Sequence, residues 1–267
     1  MTALAARRRH PFALVLLIAL GLLTTGAAYA ALAPRPAQAS PATADDISEG
    51  KKLFLANCAT CHGLDAGGAP ADAEGQVAGP SLIGVGAASV DFQVGTGRMP
   101  LAAPGPQAPE AMRRLNPEQT RQVAAYVASL APGPAIPDPE YANSTEGNAA
   151  KGGEIFRVNC AMCHNFVGAG GALTRGKYAP SLAGTSEKHI YEAMITGPQS
   201  MPVFNDSNIS PESKRDLITY LKTIEEEPGF SGSTLGGMGP VSEGLLAWVL
   251  GIGGLIGCAV WLGAKAA

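Results

Sequence analysis

A six-residue segment occurs twice in this chain, as NCATCH at residues 57–62 and as NCAMCH at residues 159–164. In each copy two cysteines stand three positions apart, and a histidine directly follows the second cysteine. The residues concerned are Cys58, Cys61 and His62 in the first copy and Cys160, Cys163 and His164 in the second. Because the chain has only 5 cysteines and 4 histidines, this concentration indicates two chemical sites of the same kind.

The similarity between the two regions extends well beyond the motif. GPSLIG aligns with APSLAG, GTGRMP with GPQSMP, and LNPEQTRQVAAYVASL with ISPESKRDLITYLKTI. The offset between the copies is 102 residues at Met99 and Met201 but 94 at Tyr126 and Tyr220. The first unit therefore carries eight additional residues (102 − 94) in the Pro-rich segment LAAPGPQAPEAMRR. We call this segment, residues 101–114, the inserted loop.

The hydrophobic pattern of both units predicts helices, and no convincing strand alternation is present. Apolar residues recur at helical spacing in the segments that lead into the two motifs. The closing segments begin with Asn-Pro-Glu and Ser-Pro-Glu, which combine a capping residue, a first-turn proline and an acidic residue. We therefore predict a mainly α protein built from two similar domains.

Two uncharged stretches, residues 11–34 and 244–264, have the composition of membrane helices. The first follows three arginines and reaches the ~20 residues that span a bilayer, so it is either a retained anchor or a cleaved signal peptide. The second carries Trp248 and Trp261 near its ends, which is typical of a transmembrane helix. The basic residues at both ends of the chain are expected in the cytoplasm, which places the two domains on the extracytoplasmic side of the cell membrane.

These patterns predict six segments along the chain. They are an N-terminal membrane anchor or signal segment (1–40), domain 1 (45–130), a Pro-rich linker (131–146), domain 2 (147–227), a flexible tether (228–240) and a C-terminal transmembrane helix (241–264). The net charge of -3 is weak, and we expect no nucleic-acid partner.

Three chemistries use two cysteines at this spacing. A thioredoxin-like redox pair would need a surrounding βαβ pattern, which the sequence lacks. A structural zinc site needs four ligands, and the two motifs could supply them jointly. In a c-type haem attachment site both cysteines form thioethers to one porphyrin, and the adjacent histidine binds the iron. The zinc alternative does not account for the rest of the repeat.

A haem iron bound by histidine has a sixth position, and a methionine thioether suits an electron carrier because it raises the reduction potential. Of the seven methionines, Met99 and Met201 are the pair that matches across the repeat, and both precede proline. We therefore expect two covalently bound haem c groups. Their expected iron ligands are His62, Met99, His164 and Met201. The unpaired His189 is predicted to be a surface residue of a helix.

The order glycine, aromatic residue, attachment motif resembles class I cytochromes c, and it occurs twice. The first occurrence consists of Gly50, Phe54 and Cys58, and the second consists of Gly152, Phe156 and Cys160. The resemblance implies that the first helix of each domain packs on the last at the glycine, with Tyr126 and Tyr220 as the matching aromatic residues. It also implies that the carbonyls of Pro80 and Pro180 accept hydrogen bonds from the two histidines, which fixes each ring.

The whole arrangement, including GTGRMP, TGPQSMP and NCAMCHNFVGAGGALTRGKYAPSL, resembles the dihaem cytochrome c subunit of actinobacterial cytochrome bcc complexes. That resemblance implies a subunit of a respiratory quinol–cytochrome c reductase (translocase). Its partners would be a cytochrome b subunit, a Rieske iron-sulfur subunit that donates electrons, and an aa3-type cytochrome c oxidase that accepts them.

Three alternatives stay open at this point. The dihaem subunit of a cbb3-type oxidase also has two such domains, but its membrane segments precede them. A dihaem enzyme would need an open iron position, whereas each domain here offers a methionine. A structural zinc protein would have no visible absorbance.

Overall fold

The computed structural model describes residues 11–32, 42–69, 79–103, 105–226 and 240–265. Its helices before the linker are α1 (Pro11–Leu32), α2 (Ala44–Asn57), α3 (Ala59–His62), α4 (Gly86–Gly95) and α5 (Pro117–Leu130). Those after it are α6 (Ala149–Asn159), α7 (Ala161–His164), α8 (Glu187–Thr196), α9 (Pro211–Glu226) and α10 (Pro240–Lys265). The predicted mainly α fold is confirmed. The structure adds a short antiparallel pair, β1 (Gly171–Ala172) and β2 (Tyr178–Ala179), which the sequence did not suggest.

Domain 1 is held together by the crossing of α2 and α5. Gly50 makes this crossing possible, because a Cβ at that position would lie 1.9 Å from the carbonyl oxygen of Gln122. Phe54 is fully buried, and the centre of its ring lies 5.3 Å from the centre of the Tyr126 ring. Each helix has an N-cap residue. The side chain of Thr43 accepts a hydrogen bond from the N–H of Asp46, and that of Asn116 accepts one from the N–H of Gln119.

Domain 2 repeats this geometry with α6 and α9. A Cβ at Gly152 would lie 1.9 Å from the carbonyl oxygen of Asp216, and the rings of Phe156 and Tyr220 are 5.5 Å apart. Phe156 is fully buried against Leu217, Leu221 and other apolar residues of this core. Each domain thus fixes its attachment motif at the end of a helix that is packed tightly at a glycine.

The segment between the domains is fastened to both of them. The N–H of Ala88 in α4 donates to the carbonyl of Pro134 at 3.1 Å. Farther along, Tyr141 packs on the core of domain 2. The linker is therefore held to domain 1 at Pro134 and to domain 2 at Tyr141.

The two domains meet where α4 lies beside α8. The ammonium of Lys188 is 2.5 Å from Asp91, and the ring of His189 packs edge-on against Phe92. The absence of a side chain at Gly95 makes space for the ring of His189, since a Cβ there would lie 2.9 Å from Nε2 of His189. The prediction that His189 is a surface residue is wrong: its side chain is 14% exposed, because α8 turns this face toward domain 1.

In the part of the chain that the structure describes, two helices are long and apolar enough to cross a membrane, over Phe12–Tyr29 and Ala247–Lys265. The large apolar side chains described along both are exposed. In α1, the hydroxyls of Thr24 and Thr25 donate to backbone carbonyls one turn back, which satisfies their polar groups within the helix. In α10, the Lys265 ammonium lies 4.5 Å from the ring of Trp261.

Candidate functional site

In each attachment motif the first cysteine joins a longer helix to a one-turn helix, and the one-turn helix contains the second cysteine and the histidine. In domain 1 the chain leaves α2 at Cys58, whose N–H donates to the carbonyl of Phe54 at 2.8 Å, and enters α3. His62 closes α3, and its N–H donates to the carbonyl of Cys58 at 2.9 Å. Cys58 is half-buried, whereas Cys61 is exposed.

The motif of domain 2 has the same conformation. Cys160 N–H donates to the carbonyl of Phe156 at 2.8 Å, and His164 N–H to the carbonyl of Cys160 at 2.9 Å. Cys160 is half-buried and Cys163 exposed. Because the backbone holds both motifs alike, the two sites have the same local scaffold.

Both histidine rings are oriented by a proline carbonyl. Nδ1 of His62 donates to the carbonyl of Pro80 at 2.7 Å, and Nδ1 of His164 donates to that of Pro180 at 3.0 Å. The ring of His62 also needs Gly79, where a Cβ would lie 3.0 Å from Nδ1. With the proton on Nδ1, Nε2 of each neutral ring keeps its lone pair for a metal. Burial lowers the pKa of His164, which favours this neutral form.

Each histidine lines a cavity together with the methionine that pairs across the repeat. The cavity of domain 1, about 400 Å³, is lined by Cys58, His62 and Met99 and by apolar side chains of its core. Cys61 is not among its lining residues. The cavity of domain 2, about 220 Å³, is lined by four predicted site residues: Cys160, Cys163, His164 and Met201.

These cavities fit haem c better than zinc. An imidazole nitrogen and a thioether sulfur in an apolar cavity are ligands that haem iron takes. Among the described residues, the group of three or more histidine, cysteine or acidic ligands that lies close enough for a metal is Asp91, His189 and Glu192, which includes no cysteine. Burial, with a smaller effect of the neighbouring thiol, raises the pKa of Cys58 to about 11 and that of Cys160 to about 12. Without a metal beside them, both thiols therefore stay protonated at neutral pH.

Sequence reasoning missed that each cavity is partly walled by the other domain. Arg98 and Gln107 of domain 1 line the cavity of domain 2. Thr196 and Gly197 of domain 2 line the cavity of domain 1. Residues Pro198 and Gln199 line both. For Gln107, the sequence did contain a signal: this residue lies in the inserted loop, which makes the first unit eight residues longer than the second.

Comparisons with known proteins agree with this arrangement. Residues 47–131 match the family described as "Cytochrome c", and residues 147–221 match "Cytochrome C oxidase, cbb3-type, subunit III". The "Cytochrome bc1 complex cytochrome c subunit" of Corynebacterium efficiens is 42% identical, over 96% of this chain and 90% of that protein. The protein of the same name from Mycobacterium bovis is 43% identical, over 97% and 92%.

A partial match concerns the cbb3 alternative. The "Cbb3-type cytochrome c oxidase subunit FixPc" of Rhizobium leguminosarum is 34% identical, but over 44% of this chain and 39% of that protein. The similarity to bc1 subunits thus covers both domains and the terminal helices, whereas the similarity to this oxidase subunit covers less than half of the chain. This chain belongs to the family of cytochrome bc1 complex cytochrome c subunits, respiratory electron-transfer proteins with covalently bound haem c in two cytochrome c domains.

Proposed function

We propose that this chain is the membrane-anchored dihaem subunit that takes electrons from a Rieske iron-sulfur protein beside cytochrome b and passes them to an aa3-type oxidase. The observation that carries this proposal is the closeness of the two cavities, which share Pro198 and Gln199 in their walls. Because one dipeptide borders both cavities, electrons can pass between two haems through a short stretch of protein.

In this proposal each pattern that the two copies of the repeat share has one task. Cys58 and Cys61 hold one haem by thioethers, and Cys160 and Cys163 hold the other. When bound, haem c supplies a one-electron couple. His62 and Met99 would bind the iron of one haem, and His164 and Met201 would bind the iron of the other. The prolines hold the imidazoles through Nδ1, and the apolar walls keep water away, which tunes the potential.

The terminal helices bear on where this carrier works. With a membrane span at one or both ends, the domains stay near the membrane on its extracytoplasmic side. Tethering replaces bulk diffusion by a high local concentration at the donor and the acceptor. A subunit that is bound to both can then connect quinol oxidation to oxygen reduction without a soluble cytochrome c.

The test is to solubilise membranes in mild detergent and purify through a tag on this chain. We expect cytochrome b, a Rieske protein and an oxidase with haem a absorbance to copurify, and quinol-driven oxygen uptake without added cytochrome c. The matched control carries Cys160→Ala and Cys163→Ala and should assemble without this uptake. Recovery of the chain alone, or uptake that needs soluble cytochrome c, would contradict the proposal. Copurification with an oxidase that lacks haem a would favour the alternative that this chain is a subunit of a cbb3-type oxidase. The family match over residues 147–221 is the observation behind that alternative.

A further inference from the structure

Two consecutive residues of domain 1 face different cavities. Met99 lines the cavity of its own domain, and Arg98 lines the cavity of domain 2. Arg98 is 9% exposed, and its side chain lines an apolar cavity that His164 and Met201 also line. A cation from one domain is thus placed at the candidate haem site of the other.

The guanidinium has few partners for a buried charge. The carboxylate of Glu110 lies 3.8 Å from it, and this side chain is 66% exposed. The guanidinium carbon also lies 4.9 Å from the centre of the Phe92 ring. Among the described residues, no hydrogen bond satisfies its five N–H donors. The guanidinium nitrogens are not fully enclosed, and the side chain lines the cavity of domain 2. A cation without hydrogen bonds beside a largely apolar cavity points to an anionic partner in that cavity.

The inserted loop fixes Arg98 in this position. Gly97 has φ +72° and packs directly on the loop, since a Cβ there would lie 2.0 Å from the carbonyl oxygen of Ala111. The loop is then clamped to domain 2 by Gln107, whose amide donates to the carbonyl of Tyr178 and accepts from its N–H, both at 2.9 Å. Tyr178 lies in β2, two residues before the proline that orients His164.

The anion that belongs in such a cavity is a carboxylate of the haem itself. We propose that domain 1 completes the haem site of domain 2, with Arg98 binding a propionate of the second haem across the domain boundary and Gln107 holding the loop that positions it. This inference rests on the haem assignment of the second cavity made above. A nearby positive charge stabilises the reduced haem, which carries one positive charge less than the oxidised one. Arg98 therefore raises the potential of the second haem.

The test is a redox titration of the full chain in detergent, followed by optical absorbance, for Arg98→Gln, Arg98→Lys and the control Arg114→Gln. Arg114 is an exposed arginine of the same inserted loop. The potential that shifts in Met201→Leu identifies the second haem. We expect Arg98→Gln to lower that potential and leave the other unchanged, Arg98→Lys to restore part of it, and Arg114→Gln to change neither.

Two haems per chain with both potentials unchanged in Arg98→Gln would overturn this inference alone, as would a shift confined to the first haem. A wild-type chain with one haem would instead overturn the haem assignment of the proposed function. If Arg98→Gln does not assemble, Gln107→Ala replaces it. This variant removes two hydrogen bonds to Tyr178 but keeps the guanidinium. A lower potential of the second haem would support the proposal, and unchanged potentials would overturn it.

Discussion

Gly152 lies so close to Asp216 that a Cβ added to the glycine would be 1.9 Å from the aspartate's carbonyl oxygen. Gly50 has the same relation, also at 1.9 Å, to the carbonyl oxygen of Gln122. In both domains the obstacle is backbone, which cannot rotate away as a side chain can. The helix that carries each attachment motif is therefore positioned by one glycine.

Gly152→Ala should force α6 away from α9 and weaken domain 2. Overpacking of this kind costs about 1–3 kcal/mol or more, and here the added atom meets backbone. We expect a lower melting temperature and a haem content that falls from two toward one per chain, measured as pyridine haemochrome. The control is Gly105→Ala, whose Cβ would have its nearest neighbour at 3.7 Å. Equal haem content in Gly152→Ala and the control would contradict the packing argument.

The contacts within each domain could be predicted from the sequence, and those between the domains could not. Gly152, Phe156 and Pro180 belong to a pattern that appears twice, so each copy supports the interpretation of the other. Arg98 and His189 have no counterpart of the same type in the other copy, because a domain interface brings together different faces of two similar units. A histidine on a polar helix gives no local sign that another domain covers it.

The double substitution Cys160→Ala and Cys163→Ala should halve the covalently bound haem. The remaining haem should stay on the chain after denaturation, because Cys58 and Cys61 are intact. Haem staining of a denaturing gel, calibrated against chain concentration, measures this. The control is Cys258→Ala, which removes the cysteine of α10 and should leave two haems. Full haem retention in the double variant would disprove the attachment residues.

Replacing Met201 by leucine should remove the sulfur-to-iron charge-transfer band of one haem and lower its potential. The reason is that leucine has no sulfur atom whose lone pair could bind iron. Met99→Leu should do the same to the other haem. Met112→Leu is the matched control, since this methionine is 90% exposed and lines neither cavity. If the band persists in full in Met99→Leu and Met201→Leu, the axial ligands are other residues.

The last prediction concerns Glu192, whose side chain is 0% exposed at the domain interface, close to the side chains of Asp91 and His189. Burial, and next the negative charge of Asp91, raise the pKa of Glu192 from 4.5 to about 10. The other charged or titratable groups facing it are Lys188 and His189. For Asp91, burial favours a higher pKa, but His189 and Lys188 outweigh it and hold the value at about 2, so Asp91 stays ionised above pH ~4.

The sign of the pH dependence follows from these directions. Above pH ~4.5 the unfolded chain releases the Glu192 proton that the folded chain keeps, so this group's contribution to stability falls as the pH rises toward about 10. Between pH 7.5 and 9.5, above the ordinary range of histidine, the loss is on the order of 2–3 kcal/mol. Glu192→Gln cannot ionise, so its melting temperature, followed by haem absorbance, should fall less across this interval and exceed that of the wild type at pH 9. Glu226→Gln, at an exposed carboxylate of α9, should keep the wild-type slope. Parallel melting curves for Glu192→Gln and the wild type would show that Glu192 is ionised in the folded protein.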